Sequence, residues 1–181
     1  GLPSNAVIVK KGPQKSNITD LPKEILSLHS TKLAELGVTF NPESLVFSFN
    51  RSYGVYKIGE HKVTERFNAV LSGTFKEVLP TLIKNSELIE SIEIIGFASK
   101  EWKGSDNEIE AYKNNISLST SRSIAVSKVL FESKDLIKYG SWLNSKIVTK
   151  GMSSSTNGNN DLLRTVTIKI NTRATKLIEP N

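Results

Sequence analysis

Residues 88–97 and the segment that follows them constrain the fold of this 181-residue chain more than any other stretch. Residues 92–95 are Ile-Glu-Ile-Ile, an almost continuously apolar run that predicts a central strand covered on both faces. The strand ends near Gly96, a polar stretch follows at 100–114, and a helical pattern begins at Leu118. A helix that packs back on the preceding strand places its first turns beside the end of that strand. We therefore expect a small cleft at this junction.

The rest of the chain completes the pattern of an α+β domain. Phe67, Phe75 and Leu82 belong to an apolar series with three- and four-residue steps, which predicts a long amphipathic helix. Helices between strands require crossover connections, whereas the last two strands can form a hairpin. We expect strands at 44–50, 88–97, 146–150 and 163–171, and helices at 65–85, 118–131 and 135–143.

The N-terminal part predicts a helix that precedes this domain. Asp20 and Pro22 are typical of a helix start and Gly37 of a helix end. This helix either packs on the domain or leads towards it from a membrane segment. Residues 51–64 predict a hairpin-like insertion. The predicted organisation is a linker at 1–19, an N-terminal helical segment at 20–39, the domain at 40–172 and a tail at 173–181.

Composition excludes several kinds of chemistry. The chain has no cysteine, which rules out disulfides, thiolate nucleophiles and cysteine-ligated zinc. The histidines, His29 and His61, stand in unrelated segments, so no metal site and no cofactor is predicted. Motifs for an exposed catalytic serine or a phosphate-binding loop are also absent. We therefore expect a protein that is not an enzyme.

Charge favours an acidic partner. The formal net charge is +6, which suits anionic lipid, nucleic acid or carboxylate-rich peptides. Nucleic-acid binding would need basic residues interleaved with aromatic ones, and no such spacing occurs. No apolar run approaches the ~20 residues that a membrane helix needs. The first residues also lack a signal-peptide pattern.

Arg122 is the main candidate for ligand binding at the expected cleft. Its planar guanidinium can hold a carboxylate through two parallel hydrogen bonds. The alternative is that Arg122 pairs with a local acid and has no ligand. Arg164, at the start of the last predicted strand, is as well suited to bracing the fold as to binding.

The same stretch resembles the OmpA-like peptidoglycan-binding domain, the family that includes the OmpA C-terminal domain, Pal and the MotB periplasmic domain. The family pattern is Gly-x-Thr-Asp, a loop, then Asn-x-x-Leu-Ser-x-x-Arg-Ala-x-x-Val. The matching residues here are Gly96, Asn115, Leu118, Ser119, Arg122 and Val126. The resemblance implies a β-α-β-α-β-β sandwich with helices packed on a mixed four-stranded sheet.

The resemblance also implies a ligand, the diaminopimelate-containing stem peptide of peptidoglycan. Its carboxylate would be received by Arg122, and the residues at the other pocket positions would be Phe97, Ala98, Ser99, Asn115 and Leu118. The family's Asp, which faces the ligand's ammonium, is replaced by Ser99. A neutral hydrogen bond contributes less than a charged one, which predicts binding weaker by about tenfold.

Two features of the sequence relate to the replacement of the family's Asp by Ser99. Acids in the following loop are expected to compensate for the missing Asp: Glu101, Asp106, Glu108 and Glu110. The segment Gly96-Phe-Ala-Ser99, with Ala111-Tyr112 before Asn115, is also similar to a Gly-x-x-Ser branch of the family. Trp102 is expected to pack, with stacking on glycan as the alternative.

Two hypotheses follow from the resemblance. The first is a non-catalytic anchor that tethers a membrane protein or complex to the cell wall in the periplasm of a Gram-negative bacterium. It would be membrane-anchored in the full-length protein, form a homodimer and resemble a MotB-like stator arm. The second is an OmpA-like assembly module that binds a protein partner and has lost wall binding because of Ser99.

Overall fold

The computed structural model describes residues 20–101 and 107–173. These residues form helices packed on a mixed sheet, so the predicted α+β class is confirmed. The helices are α1 (Asp20–Glu35), α2 (Arg51–Gly54), α3 (Glu65–Lys84), α4 (Glu108–Glu132) and α5 (Gly140–Lys146). The strands are β1 (Val38–Asn41), β2 (Val46–Phe49), β3 (Ile89–Gly96), β4 (Ile147–Gly151) and β5 (Val166–Thr172).

The strand order is β1-β2-β5-β3-β4, and β3 lies between a parallel and an antiparallel neighbour. Ile94 pairs with Thr149 of β4 on one side and with Ile168 of β5 on the other. The predicted hairpin of the last two strands is therefore wrong. Strand β5 instead enters the middle of the sheet, where Val166, Ile168 and Ile170 are buried.

The sheet has five strands rather than four among the described residues. The additional strand, β1, has only four residues, too short for a clear alternating pattern. The predicted hairpin-like insertion at 51–64 is also wrong, because α2 occupies its start and an irregular segment covers 55–64. Helix α4 begins ten residues before the predicted start at 118, with Asn107 as its N-cap.

Helix α1 packs on the domain, which decides between the two predicted arrangements. Leu21, Ile25 and Leu33 are buried on its inner face. His29 is also buried, with Nδ1 2.6 Å from a carboxylate oxygen of Glu77 and Nε2 2.6 Å from the hydroxyl of Thr81. Helix α1 is therefore held by its buried apolar side chains and by the contacts of His29 with α3. The predicted linker at 1–19 lies outside the described residues, as does most of the predicted tail.

Glycines let α4 approach the sheet closely. A side chain at Gly96, the last residue of β3, would overlap the carbonyl oxygen of Ser119. One at Gly151, the last residue of β4, would come within 2.7 Å of the backbone nitrogen of Thr120. The middle of α4 therefore lies directly on the backbone where β3 and β4 end. Within the described ranges, no helix has the length and apolar character needed to cross a membrane.

Candidate functional site

Arg122 lies at the junction between α4 and the end of β3, and it is fully buried. Its guanidinium donates hydrogen bonds to backbone carbonyls on two sides. Nη1 donates to Phe97 over 2.7 Å, where the chain leaves β3. Nε donates to Glu60 over 2.7 Å and Nη2 to Lys57 over 3.1 Å, in the segment before α3. The ring of Tyr56 covers one face, with its centroid 4.7 Å from the guanidinium carbon.

Electrostatics leave Arg122 charged and Tyr56 neutral near pH 7. Burial lowers the pKa of Arg122 to about 10, and nearby Arg164 lowers it further, whereas Tyr56 and Glu60 oppose this shift. Burial raises the pKa of Tyr56 to about 12, and the charge of Arg122 opposes that shift. The site therefore holds one buried positive charge, with carbonyl oxygens and an aromatic face around it.

The structure brings the predicted site residues to one place. Phe97, Ala98 and Ser99 follow β3 and are buried. Asn115 and Leu118 are also buried, seven and four residues before Arg122 on α4. Spacings of three, four and seven residues place side chains on one face of a helix.

A second connection joins the end of β3 to α4 through the segment after β4. The backbone N–H of Ala98 donates to the carbonyl of Ser153 over 2.6 Å. The backbone N–H of Ser153 in turn donates to Oγ of Ser119 over 3.0 Å. Ser153 has a left-handed backbone, with φ 53°. Residues from β3, α4 and the β4–β5 connection thus enclose the site together.

Unpaired polar atoms cluster here. Among the described residues, three buried side-chain atoms have no hydrogen-bond partner within the protein: Oη of Tyr56, Oδ1 of Asn115 and Oγ of Ser153. Tyr56 lies on Arg122, Asn115 precedes it by two helical turns, and Ser153 bonds to both β3 and α4 segments. Each buried polar atom without a partner costs about 1–3 kcal/mol. A water molecule or a polar ligand can supply the missing partner of such an atom.

The acids expected to compensate for Ser99 are placed at the surface where they are described. Glu101 is exposed after the end of β3, and Glu108 and Glu110 are exposed in the first turn of α4. Asp106 and Trp102 lie outside the described residues. None of the three described acids is among the groups whose charge shifts the pKa of Arg122.

The segment that covers Arg122 was not predicted from the sequence. Residues 57–60 form a turn in which the N–H of Glu60 donates to the carbonyl of Lys57 over 3.0 Å, and Gly59 has φ 81°. All four residues of this turn are exposed. Gly59 is the sequence feature that indicates a turn here, but the prediction for 51–64 was a hairpin-like insertion. Contacts made by backbone carbonyls leave no residue-type pattern.

Metal-binding clusters are not found in the part of the chain that the structure describes. His29 bonds to Glu77 and Thr81, while His61 is exposed on the segment before α3. The candidate site is centred on the buried guanidinium of Arg122.

No protein-family model matches the chain. The Zorya protein ZorB of Escherichia coli is 28% identical over 123 residues, or 68% of this chain. The match spans 52% of ZorB, about half the length of that relative.

Three solved structures illustrate the fold that this chain shares with known proteins. The T6SS cell wall anchor of Pseudomonas aeruginosa has a TM-score of 0.50 at 12% identity, covering 82% of this chain and 97% of that one. A putative MotB-like protein of Desulfovibrio vulgaris has a TM-score of 0.50 at 15% identity, covering 84% and 92%. A periplasmic domain of Helicobacter pylori MotB reaches 0.51 at 15% identity, covering 78% and 91%. The chain has the OmpA-like fold that its central motif predicted.

Proposed function

We propose that this chain is a non-catalytic wall-binding module that tethers a membrane protein or complex to peptidoglycan in the periplasm. Its ligand is the diaminopimelate-containing stem peptide, and Arg122 receives the carboxylate of that residue. Phe97, Ala98, Asn115 and Leu118 line the site beside Ser99. The full-length protein is membrane-anchored and works as a homodimer in the manner of a MotB-like stator arm.

The observation that supports this proposal most is the buried charge of Arg122 among unpaired polar atoms. A guanidinium has five N–H donors, and the three carbonyl bonds use three of them. Two N–H groups remain for a ligand carboxylate, and unpaired Oδ1 of Asn115 can accept from the ligand. The fold shared with a cell wall anchor and with MotB periplasmic domains supports the same function.

A second candidate function is an OmpA-like assembly module that binds a protein partner and has lost wall binding. Two observations favour it. Arg122 is covered on all sides by protein, and Ser99 carries no charge for an ammonium. In that case the carbonyl bonds of Arg122 serve the fold alone.

Sedimentation with purified peptidoglycan sacculi separates the two functions. We expect the wild type to co-sediment, Arg122→Ala to lose binding, and Ser99→Asp to bind about tenfold more tightly because it restores a charged acceptor. Circular dichroism establishes that each variant is folded, and Arg122→Lys keeps the charge without the planar fork if Arg122→Ala does not fold.

Binding gained only in Ser99→Asp would overturn the wall-anchor function and favour the assembly module. Release of soluble muropeptides by the wild type would overturn the non-catalytic assignment.

A further inference from the structure

A groove of about 590 Å³ lies between α4 and the segment that leads into α3. Its apolar lining comes from Val63, Ile124, Ala125 and Val129. Ile124 is 39% exposed, so a large apolar side chain is open to solvent in this groove. The volume is within the range of about 300–1,000 Å³ that is typical of ligand pockets. None of the described residues that contact Arg122 lines the groove, which makes it a surface separate from the candidate site.

Within the described part of the chain, the ionisable side chains that line this groove are all basic. They are His61, Lys62 and Lys128, and each of them is exposed. No carboxylate of the described residues forms an ion pair with either lysine. The groove, called the basic groove below, therefore combines unneutralised positive charge with an apolar surface.

A second groove, of about 730 Å³, differs in that its lysines have acids of the same chain beside them. It is lined by residues of α1, of α3 and of the segment after α4. Nζ of Lys76 lies 3.8 Å from a carboxylate oxygen of Asp135, and Nζ of Lys32 lies 3.8 Å from one of Glu35. The second groove thus contains both signs of charge, whereas the basic groove leaves the complementary charge to another molecule.

We propose that the basic groove binds an acidic amphipathic helix of a partner protein. Apolar side chains of that helix pack on Ile124 and Val129, and its carboxylates face Lys62 and Lys128. Helix α4 contributes residues 121–129, about 12 Å at 1.5 Å per residue, which matches about two turns of a bound helix. A second copy of this chain is disfavoured by its own net charge of +6. A flat lipid surface cannot fill a concave groove, whereas inserted side chains can.

A displayed library of random peptides tests the chemistry of the occupant. The library is selected on the whole chain, with counter-selection on the double variant Lys62→Glu/Lys128→Glu, and circular dichroism establishes that the variant is folded. We expect the enriched peptides to carry several Asp or Glu residues, with apolar residues at three- and four-residue steps. Enrichment of neutral or basic peptides would overturn the proposal, and so would a failure to enrich any peptide that depends on the two lysines.

Fluorescence anisotropy with the most enriched peptide then measures the individual contacts. We expect Lys128→Glu to weaken binding by about tenfold, because an attraction becomes a repulsion, and Ile124→Ser to weaken it by about fivefold. Lys113→Glu is the matched control, since it reverses an exposed charge about 22 Å away along the same helix. This distance exceeds the screening length of ~8 Å, so we expect a change of less than twofold. Equal losses in Lys128→Glu and Lys113→Glu would mean that net charge alone drives binding, which contradicts a specific groove.

Two further measurements separate this partner from a membrane and from the cell wall. Phosphatidylglycerol vesicles should not retain the wild type more strongly than the double variant. Retention that depends on the two lysines would assign the groove to an anionic bilayer and overturn a protein partner. Sacculus binding should stay within twofold in Lys128→Glu, and its loss would overturn the separate role of the groove. Failure of the peptide experiments alone leaves the proposed wall binding unaffected.

Discussion

Two buried cations lie near opposite ends of β3, and they are held in similar ways in different surroundings. At the start of the strand, Nζ of Lys146 donates to the carbonyls of Ser86 and Ile89 over 3.1 and 2.6 Å. At its exit, the guanidinium of Arg122 donates to the carbonyl of Phe97. Burial lowers the pKa of both side chains.

The two cations differ in which parts of the chain supply their carbonyl partners. The carbonyls around Lys146 belong to β3 and to the 3₁₀ turn before it, so the fold itself satisfies the charge. Two of the three carbonyls around Arg122 belong to the exposed 57–60 turn. The ring that covers its guanidinium belongs to Tyr56, whose Oη has no hydrogen-bond partner within the protein. Incomplete polar pairing therefore distinguishes the surroundings of Arg122 from those of Lys146.

Replacing each cation by Met should give the largest contrast between the two ends. Arg122→Met removes two charge-assisted bonds to the ligand, at about 1.5–3 kcal/mol each, so sacculus binding should fall by more than about 100-fold. Lys146→Met should leave binding within about twofold. Both variants leave buried carbonyls without their donor, and urea unfolding should show a loss of about 1–3 kcal/mol in each. Equal loss of binding in both would break the comparison.

Substitutions of two glycines test how tightly the chain is packed near the two ends of β3. Gly96→Ala places a methyl group against the carbonyl of Ser119 and forces α4 away from β3, at a cost of about 1–3 kcal/mol or more. Gly140→Ala, in the helix that leads to Lys146, meets open space and has φ −54°, so we expect a gain of about 0.4–1 kcal/mol. Denaturant unfolding measures both, and destabilisation by Gly140→Ala would contradict the structure.

Removing the unpaired hydroxyl of Ser153 is expected to change the free energy of unfolding by a smaller amount. Ser153→Gly relieves a φ of 53° and deletes the unpaired Oγ, whereas Asn157→Gly relieves a φ of 55° at an exposed position. We expect Ser153→Gly to be the more stabilising by about 1 kcal/mol, measured by urea unfolding. Weaker sacculus binding in the same variant would show that this incomplete pairing serves the ligand.

The smallest expected effect is that of Tyr56 on the free energy of unfolding at alkaline pH. Its folded-state pKa is raised from 10 to about 12, so its contribution to stability is complete below pH 10 and is lost as pH rises through 12. Phenolate absorbance should show a step near pH 12 that Tyr56→Phe removes. Unfolding free energy of the wild type should also fall more steeply above pH 10 than that of Tyr56→Phe. Identical profiles would mean that the ring is not buried on Arg122.

The elements that the sequence predicted are those with a repeated local pattern. The apolar steps of Phe67, Phe75 and Leu82 identified α3, and the run at Ile92–Ile95 identified β3. The strand order was not predictable in this way, because the choice of β5 as the neighbour of β3 depends on pairing across the chain. Polar residues at 108–114 concealed the start of α4, whose outer face is exposed there.

The residues of the candidate site also differ in whether a local sequence pattern could predict them. Arg122 was predicted from its residue type at the junction of strand and helix, and Asn115 from the resemblance to the family pattern. The 57–60 turn was missed because it contacts Arg122 through main-chain oxygens, which any residue can provide. Ser153 was missed because its role follows from a left-handed backbone and from bonds to Ala98 and Ser119, both distant in sequence.

The central position of β5 has a consequence for the order in which the domain assembles. Strands β2 and β3 do not pair with each other, and both hydrogen-bond to the last strand in the chain. Until Val166–Thr172 has emerged from the ribosome, the two halves of the sheet have no shared partner, and the backbone N–H and C=O groups along the facing edges of β2 and β3 stay unpaired. Such long-range pairing is slow and comes late. A chain that ends before residue 166 therefore cannot complete the sheet.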